Sequence, residues 1–146
     1  MSIQREPIYV ALFMLLSNAT GIVSASRRLK SFNNVSPADC PALFMTQHTE
    51  SHQAQTKLPG KWNITVDVAI FVNTGANDPD VVPSSVLNPV LDAVTAIIEP
   101  PIAIGEQTLG GLVERCRIAG SIQIVEGVQD DTALAVIPVE IFLPDA

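Results

Sequence analysis

Between Lys61 and Val72 the chain alternates without a slip. Trp62, Ile64, Val66, Val68, Ile70 and Val72 fall on one side, and Lys61, Asn63, Thr65, Asp67 and Ala69 on the other. A period of two residues is that of a β-strand with one apolar face, and no helix can gather those six side chains on a single side. Such a strand demands a sheet with a second layer packed against it. Further strands are expected around it. Residues 22–30 and Ala42 to Met45 read as short ones. Cys116, Ile118, Ile122 and Ile124 alternate with Arg115, Arg117, Ser121 and Gln123, with Gly120 suggesting a bulge or a close backbone approach. Thr132 to Leu143 is apolar on both faces until Glu140, and Pro138 within it predicts an edge or a bulge, because proline cannot donate to a ladder.

Two segments carry the helical period instead. Ile8, Leu12, Leu15, Leu16 and Ala19 recur at three-to-four spacing behind Pro7, which suits a first helical position, and Gly21 supplies a stop. Tyr9, Phe13 and Met14 widen this surface, so the helix is expected to be covered on two sides. The same segment has features of a secretory signal: Arg5, an apolar run, then Val23-Ser24-Ala25. Glu6, Pro7 and the polar break at Ser17 to Thr20 favour a retained helix, and the apolar run is shorter than the ~20 residues a bilayer requires. In the second segment, Val86, Leu87, Val90, Leu91, Val94, Ile97 and Ile98 form a stripe. Pro89 lies inside it, which suggests that Asn88 caps a helix starting at Pro89 and that Ser84 to Leu87 form a turn before it. Pro100-Pro101 end the element. The resulting architecture is one α+β domain over 1–146: two layers, a largely antiparallel sheet of four to five strands, and two main helices on one face. Thr46 to Lys57 is polar and lacks either period, so 46–58 is expected to be a projecting loop.

Composition removes several classes of function. Eight Lys+Arg against fifteen Asp+Glu leave a formal charge of −7, the wrong sign for a protein that displaces counterions from nucleic acid. The chain is 47% hydrophobic, too apolar for a disordered segment. His48 and His52 stand four apart around Glu50, but the zinc-protease pattern places glutamate directly after the first histidine, and no third ligand is apparent. Cys40 and Cys116 belong to no C-x-x-C motif. Thr108 to Val113 (TLGGLV) has neither the phosphate-loop nor the dinucleotide spacing. Asp78 and Asp80 gather too few oxygens around them for a cation. Asn18, Asn34 and Asn63 head glycosylation triplets that matter only in an exported chain. No metal, cofactor or enzyme is expected. Arg27, Arg28 and Lys30 form the one basic cluster.

The segments REPIYVALFMLLS, SRRLKSFNNVSPADCPALFM, VNTGANDPDVVPSSVLNPVLDAV and QTLGGLVERCRIAGSIQIVEG resemble those of small tail proteins of long-tailed bacteriophages, and the tail terminator group in particular. That resemblance implies an α+β subunit of a six-membered ring. Such a ring caps the tail tube, ends its polymerisation and joins the tail to the head connector or stopper protein. It implies as partners other copies of the chain, the tail tube protein and the connector. DNA would pass through the lumen without specific binding, no membrane would be involved, and the place would be the virion neck after assembly in the host cytoplasm. It casts 46–58 as a docking loop, with His48, Glu50, His52, Gln55 and Lys57, and Arg27, Arg28 and Lys30 as interface cations. A hexamer at −7 per chain would carry about −42, a sign that lets DNA slide if the acidic groups face inward. Two alternatives stay open: another neck protein (head closure or tail completion), or an exported small binding domain with a cleaved N-terminus and a Cys40–Cys116 bridge.

Overall fold

A computed structural model describes residues 3–75, 80–126 and 131–143. Asp78 and most of the turns expected at 73–79 and 127–131 lie outside the described residues. The elements run α1 (Arg5–Ser17), β1 (Ser24–Ser26), β2 (Ala42–Gln55), β3 (Leu58–Asn73), α2 (Pro83–Ile98), β4 (Arg115–Ile118), β5 (Gln123–Glu126) and β6 (Thr132–Phe142). The strands form one six-stranded sheet in the order β1-β2-β3-β6-β4, with β5 also on β6. All pairings are antiparallel except the three-residue β1–β2 contact. The fold is thus a two-layer α+β arrangement with two main helices on one face, and its mixed sheet has one strand more than expected.

The alternation in β3 does what its period dictates. Ile64, Val66, Val68, Ile70 and Val72 are buried beneath the helices. In register beside them lie Leu43 and Met45 of β2 and Ala133, Ala135, Ile137, Val139 and Ile141 of β6. Onto this face α1 lays Ile8, Tyr9, Leu12 and Leu16, and α2 lays Leu87, Val90, Val94 and Ile98. Each such side chain contributes about 1.5–3 kcal/mol by leaving water. The opposite face is covered only at one end. There Val35, Ala42, Phe44, Ala69 and Phe71 form a second cluster, with Phe32 stacked on Phe71 at a centroid distance of 4.8 Å.

Several expectations change. α1 is covered on one side only: Val10, Met14 and Leu15 are exposed. Pro7 sits at the third helical position, where an N–H has no intrahelical partner either. α2 begins at Pro83 and runs through Pro89. The missing bond would have gone to the carbonyl of Ser85, and both residues face solvent, so water can satisfy the freed oxygen. The long strand expected at 115–124 is two short ones, broken where Gly120 turns at φ +83°. Pro138 is in the interior of the sheet, not at its edge. Its carbonyl accepts from Ala119 N at 2.9 Å, so its nitrogen faces the gap between β4 and β5, where no ladder donor is needed. Residues 46–58 are not a loop. Ten of them continue β2, Leu58 opens β3, and only Thr56 and Lys57 turn the chain. Gln55 pairs with Leu58 across them, with Lys57 at φ +62°.

Of the glycines at positive φ, Gly21 and Gly120 stand in contrasting surroundings. Gly21 (φ +94°) would place a β-carbon 2.9 Å from Val90 Cγ2, whereas Gly120 opens onto empty space. Gly21→Ala is therefore expected to lower unfolding stability by about 2–3 kcal/mol, strain plus overlap, and Gly120→Ala by only about 1 kcal/mol. Urea denaturation of the two variants side by side checks the order, and equal losses would contradict it.

Candidate functional site

The polar half of β2 leaves the core and has to find its order elsewhere. A register shift between Gln47 and Thr49 makes His48 a bulge residue. Its Nδ1 lies 3.1 Å from Asp67 Oδ2, on the face away from the helices. Beyond the bulge, Glu50 and His52 pair with Ile64 and Trp62 and therefore point to the helix face. Had the strand run straight, His48 and His52 would share a face. The bulge separates them, so this pair cannot hold one metal ion. Among the described residues no three His, Cys, Asp or Glu side chains gather as a metal site.

Glu50 is the centre of a cluster that spacing alone does not foreshadow. Arg5 Nε donates to both its carboxylate oxygens, at 2.8 and 2.9 Å, and Tyr9 OH donates at 3.2 Å. The Arg5 guanidinium also lies 5.4 Å from the Trp62 ring centroid, and His52 covers the same ring at 4.5 Å. Gly60 leaves room for this stack, since a β-carbon there would overlap the His52 imidazole. Arg27 pairs with Glu6 and sits over Tyr9, at 5.7 Å from the ring centroid. The start of α1, the outer end of the β2–β3 hairpin and the segment after β1 are thus tied together. Arg5, Tyr9 and Trp62 complete the cluster, though the sequence marks them only as helix and strand residues and not as part of a site. Arg5 is 45 residues from Glu50, and no local pattern signals that meeting.

The expected site residues divide accordingly. Glu50, His52 and Arg27 come together around Tyr9 and Trp62. His48 is turned to the other face. Arg28 and Lys30 are exposed, without an ion-pair partner among the described residues, and Arg28 with Arg27 borders a shallow cleft over Met45, Thr46 and Gln47. Gln55 and Lys57 are at the hairpin tip. The cysteines are free and belong to clusters on opposite faces of the sheet, Cys116 to the helix side and Cys40 to the other. A Cys40–Cys116 bridge is excluded by that separation. Burial pushes the Cys116 thiol up to about 12, and burial also raises Cys40, so neither is a thiolate near neutral pH. No described helix is long and apolar enough to cross a membrane.

No protein-family model matches the chain, and no curated protein matches it. Among solved structures it is similar to a chain from the virion of a native gene transfer agent particle. The identity is 11%, the TM-score 0.44 and the coverage 91% of each chain, a distant structural resemblance.

The Arg5 hydrogen bond, ahead of its charge, holds the Glu50 carboxyl below the usual range. A carboxyl lowered in the folded state stabilises above its ordinary pKa, and that contribution fades as pH falls through the lowered value. Glu50→Gln is expected to cost about 0.5–1 kcal/mol at neutral pH, reflecting a half-exposed pair, and progressively less as acid protonates the carboxyl. Tyr9 behaves with opposite sign: burial first, then Glu50, raises its phenol to about 12. Its contribution is complete below about pH 10 and disappears as pH rises through the folded value. Thermal melts of wild type and variant across pH read both effects.

Proposed function

We propose that this chain is a structural subunit of a phage-type virion, acting as a tail terminator. In this reading copies of it, six by the family's habit, close a ring on the end of the tail tube, stop its polymerisation and meet the head connector or stopper protein. DNA passes through the lumen without being read. The protein acts in the virion neck after assembly in the host cytoplasm, and needs no catalytic residue or cofactor.

The sequence resemblance supplies the identity of this role. The observation that carries it into the structure is the outer β2–β3 hairpin. Its pairing continues from Asn63, the last β3 residue opposite β6, out to the Gln55–Leu58 pair. It is polar and exposed along most of that length, yet latched to α1 through Arg5 and Glu50. A solvated strand pair of this kind adds nothing to the core. A stiff, latched arm is suited to docking on a partner, because little conformational entropy remains to be lost on binding. In this reading His52, Gln55 and Lys57, which lie on the arm, and Glu50 at its latch are the residues that contact tube or connector.

Since 46–55 is strand, a deletion within it would cut the sheet. The better variant removes Gln53 to Lys61 and joins His52 to Trp62, which are paired, through Asn-Gly, a two-residue turn suited to hairpins. It should melt close to wild type and fail to arrest growth of purified tail tubes, scored as tube length by electron microscopy. Unaltered arrest by this variant would remove the hairpin from the role. Tubes that grow past the wild-type protein would remove the terminator role itself.

A further inference from the structure

Charge is divided along this chain far more sharply than its net value suggests. Up to Lys61 there are six cations (Arg5, Arg27, Arg28, Lys30, Lys57, Lys61) against Glu6, Asp39 and Glu50, a net +3. From Trp62 onward only Arg115 and Arg117 stand against twelve carboxylates, a net −10. The fold turns this into a lateral separation. The first part supplies β1 and β2 on one side of β3, and the second supplies β6, β4 and β5 on the other, with α2 against β3, β6 and β4. Arg28 and Lys30 are exposed on the basic side, and Asp92, Glu99, Glu106 and Glu126 are exposed on the acidic side.

Each side also carries apolar surface. On the acidic side the turn after α2 presents Ile102 and Ile104, which are 99% and 77% exposed. On the basic side the residues flanking the edge strand β1 present Val23 and Leu29, 59% and 54% exposed. Large side chains left this bare mark contact surfaces. The two surfaces cannot each serve a two-fold contact, in which a patch meets its own copy, because like charge would face like charge. They are complementary to each other. The outward N–H groups of β4 are already taken, Cys116 by Gln107 O at 2.8 Å and Ile118 by Glu99 Oε1 at 2.9 Å. The meeting at that strand is therefore made by side chains and not by extending the sheet.

We infer that the two lateral sides are the halves of one head-to-tail contact between copies of this chain. The basic β1–β2 side of one copy, with Val23 and Leu29 beside Arg28 and Lys30, receives the acidic α2–β4 side of the next, led by Ile102 and Ile104. Repeated, a heterologous contact gives a closed ring or an open filament, according to the rotation between neighbours. This rests on the ring assigned above and specifies which surfaces close it.

The test is a charge exchange. One full-length variant carries Arg28→Glu and Lys30→Glu, a second carries Asp92→Lys and Glu106→Lys, and assembly is followed by native mass spectrometry and sedimentation at several salt concentrations. Wild type should associate less as salt rises, and each variant alone should lose about tenfold or more in association. An equimolar mixture should recover assemblies in which the two alternate, which misfolded variants could not do. Ile102→Asp should weaken assembly in either background. Variants that assemble as wild type does, or a mixture that fails to recover, would overturn the contact while leaving the ring intact. A wild-type chain that stays monomeric at every concentration would overturn the ring as well.

Discussion

β3 lies at the middle of the sheet and gives its whole core-facing side to the helices. Five aliphatic side chains from Ile64 to Val72 are shielded from water there, and the matching rows of β2 and β6 are aligned to them by backbone pairing. A one-residue slip of either neighbour would carry its apolar row to the wrong face, so the register is held by the cost of exposing that row. α1 and α2 follow from the same constraint, because each has a stripe that only this surface can cover. The far side of the sheet needs less. One aromatic cluster around Phe71 protects one end, and Phe142 lies under Arg115 and Arg117 at the other.

The edges of the sheet are treated differently, and this gives the molecule two distinct sides. β4 is sealed by Gln107 and by the Glu99 carboxylate. β2 is covered by β1 only over Ala42, Leu43 and Phe44, and beyond that its stability comes from β3 and from the Arg5–Glu50–Tyr9 cluster. That cluster lets a polar hairpin stand beyond the hydrophobic core without depending on it. The proposed role as a joined subunit rests on this arm and on the divided charge distribution.

The helices and central strand were readable in advance because burial writes a period into sequence. The α2 stripe and the β3 alternation survive any choice of neighbours. The expectation of a loop at 46–58 fails for the converse reason: from Thr46 to Gln55 the strand is solvated on both faces, so no apolar period marks it, and only the backbone partners in β3 make it a strand. Pro89 and Pro138 misled in a related way. Each forbids a hydrogen bond, but whether that bond was needed depends on what stands opposite, solvent for Pro89 and a gap between strands for Pro138.

The sequence by itself therefore determined the α+β class, the two helices, the central strand and the residues of the main core, since these follow from side-chain polarity at fixed spacing. Tertiary structure alone decided the long hairpin, the bulge that parts His48 from His52, the meeting of Arg5 with Glu50 and the separation of Cys40 from Cys116. It also turned a charge asymmetry along the chain into two opposed sides of a sheet. Those features depend on contacts between residues tens of positions apart, and no local pattern encodes which distant partner a polar side chain will find.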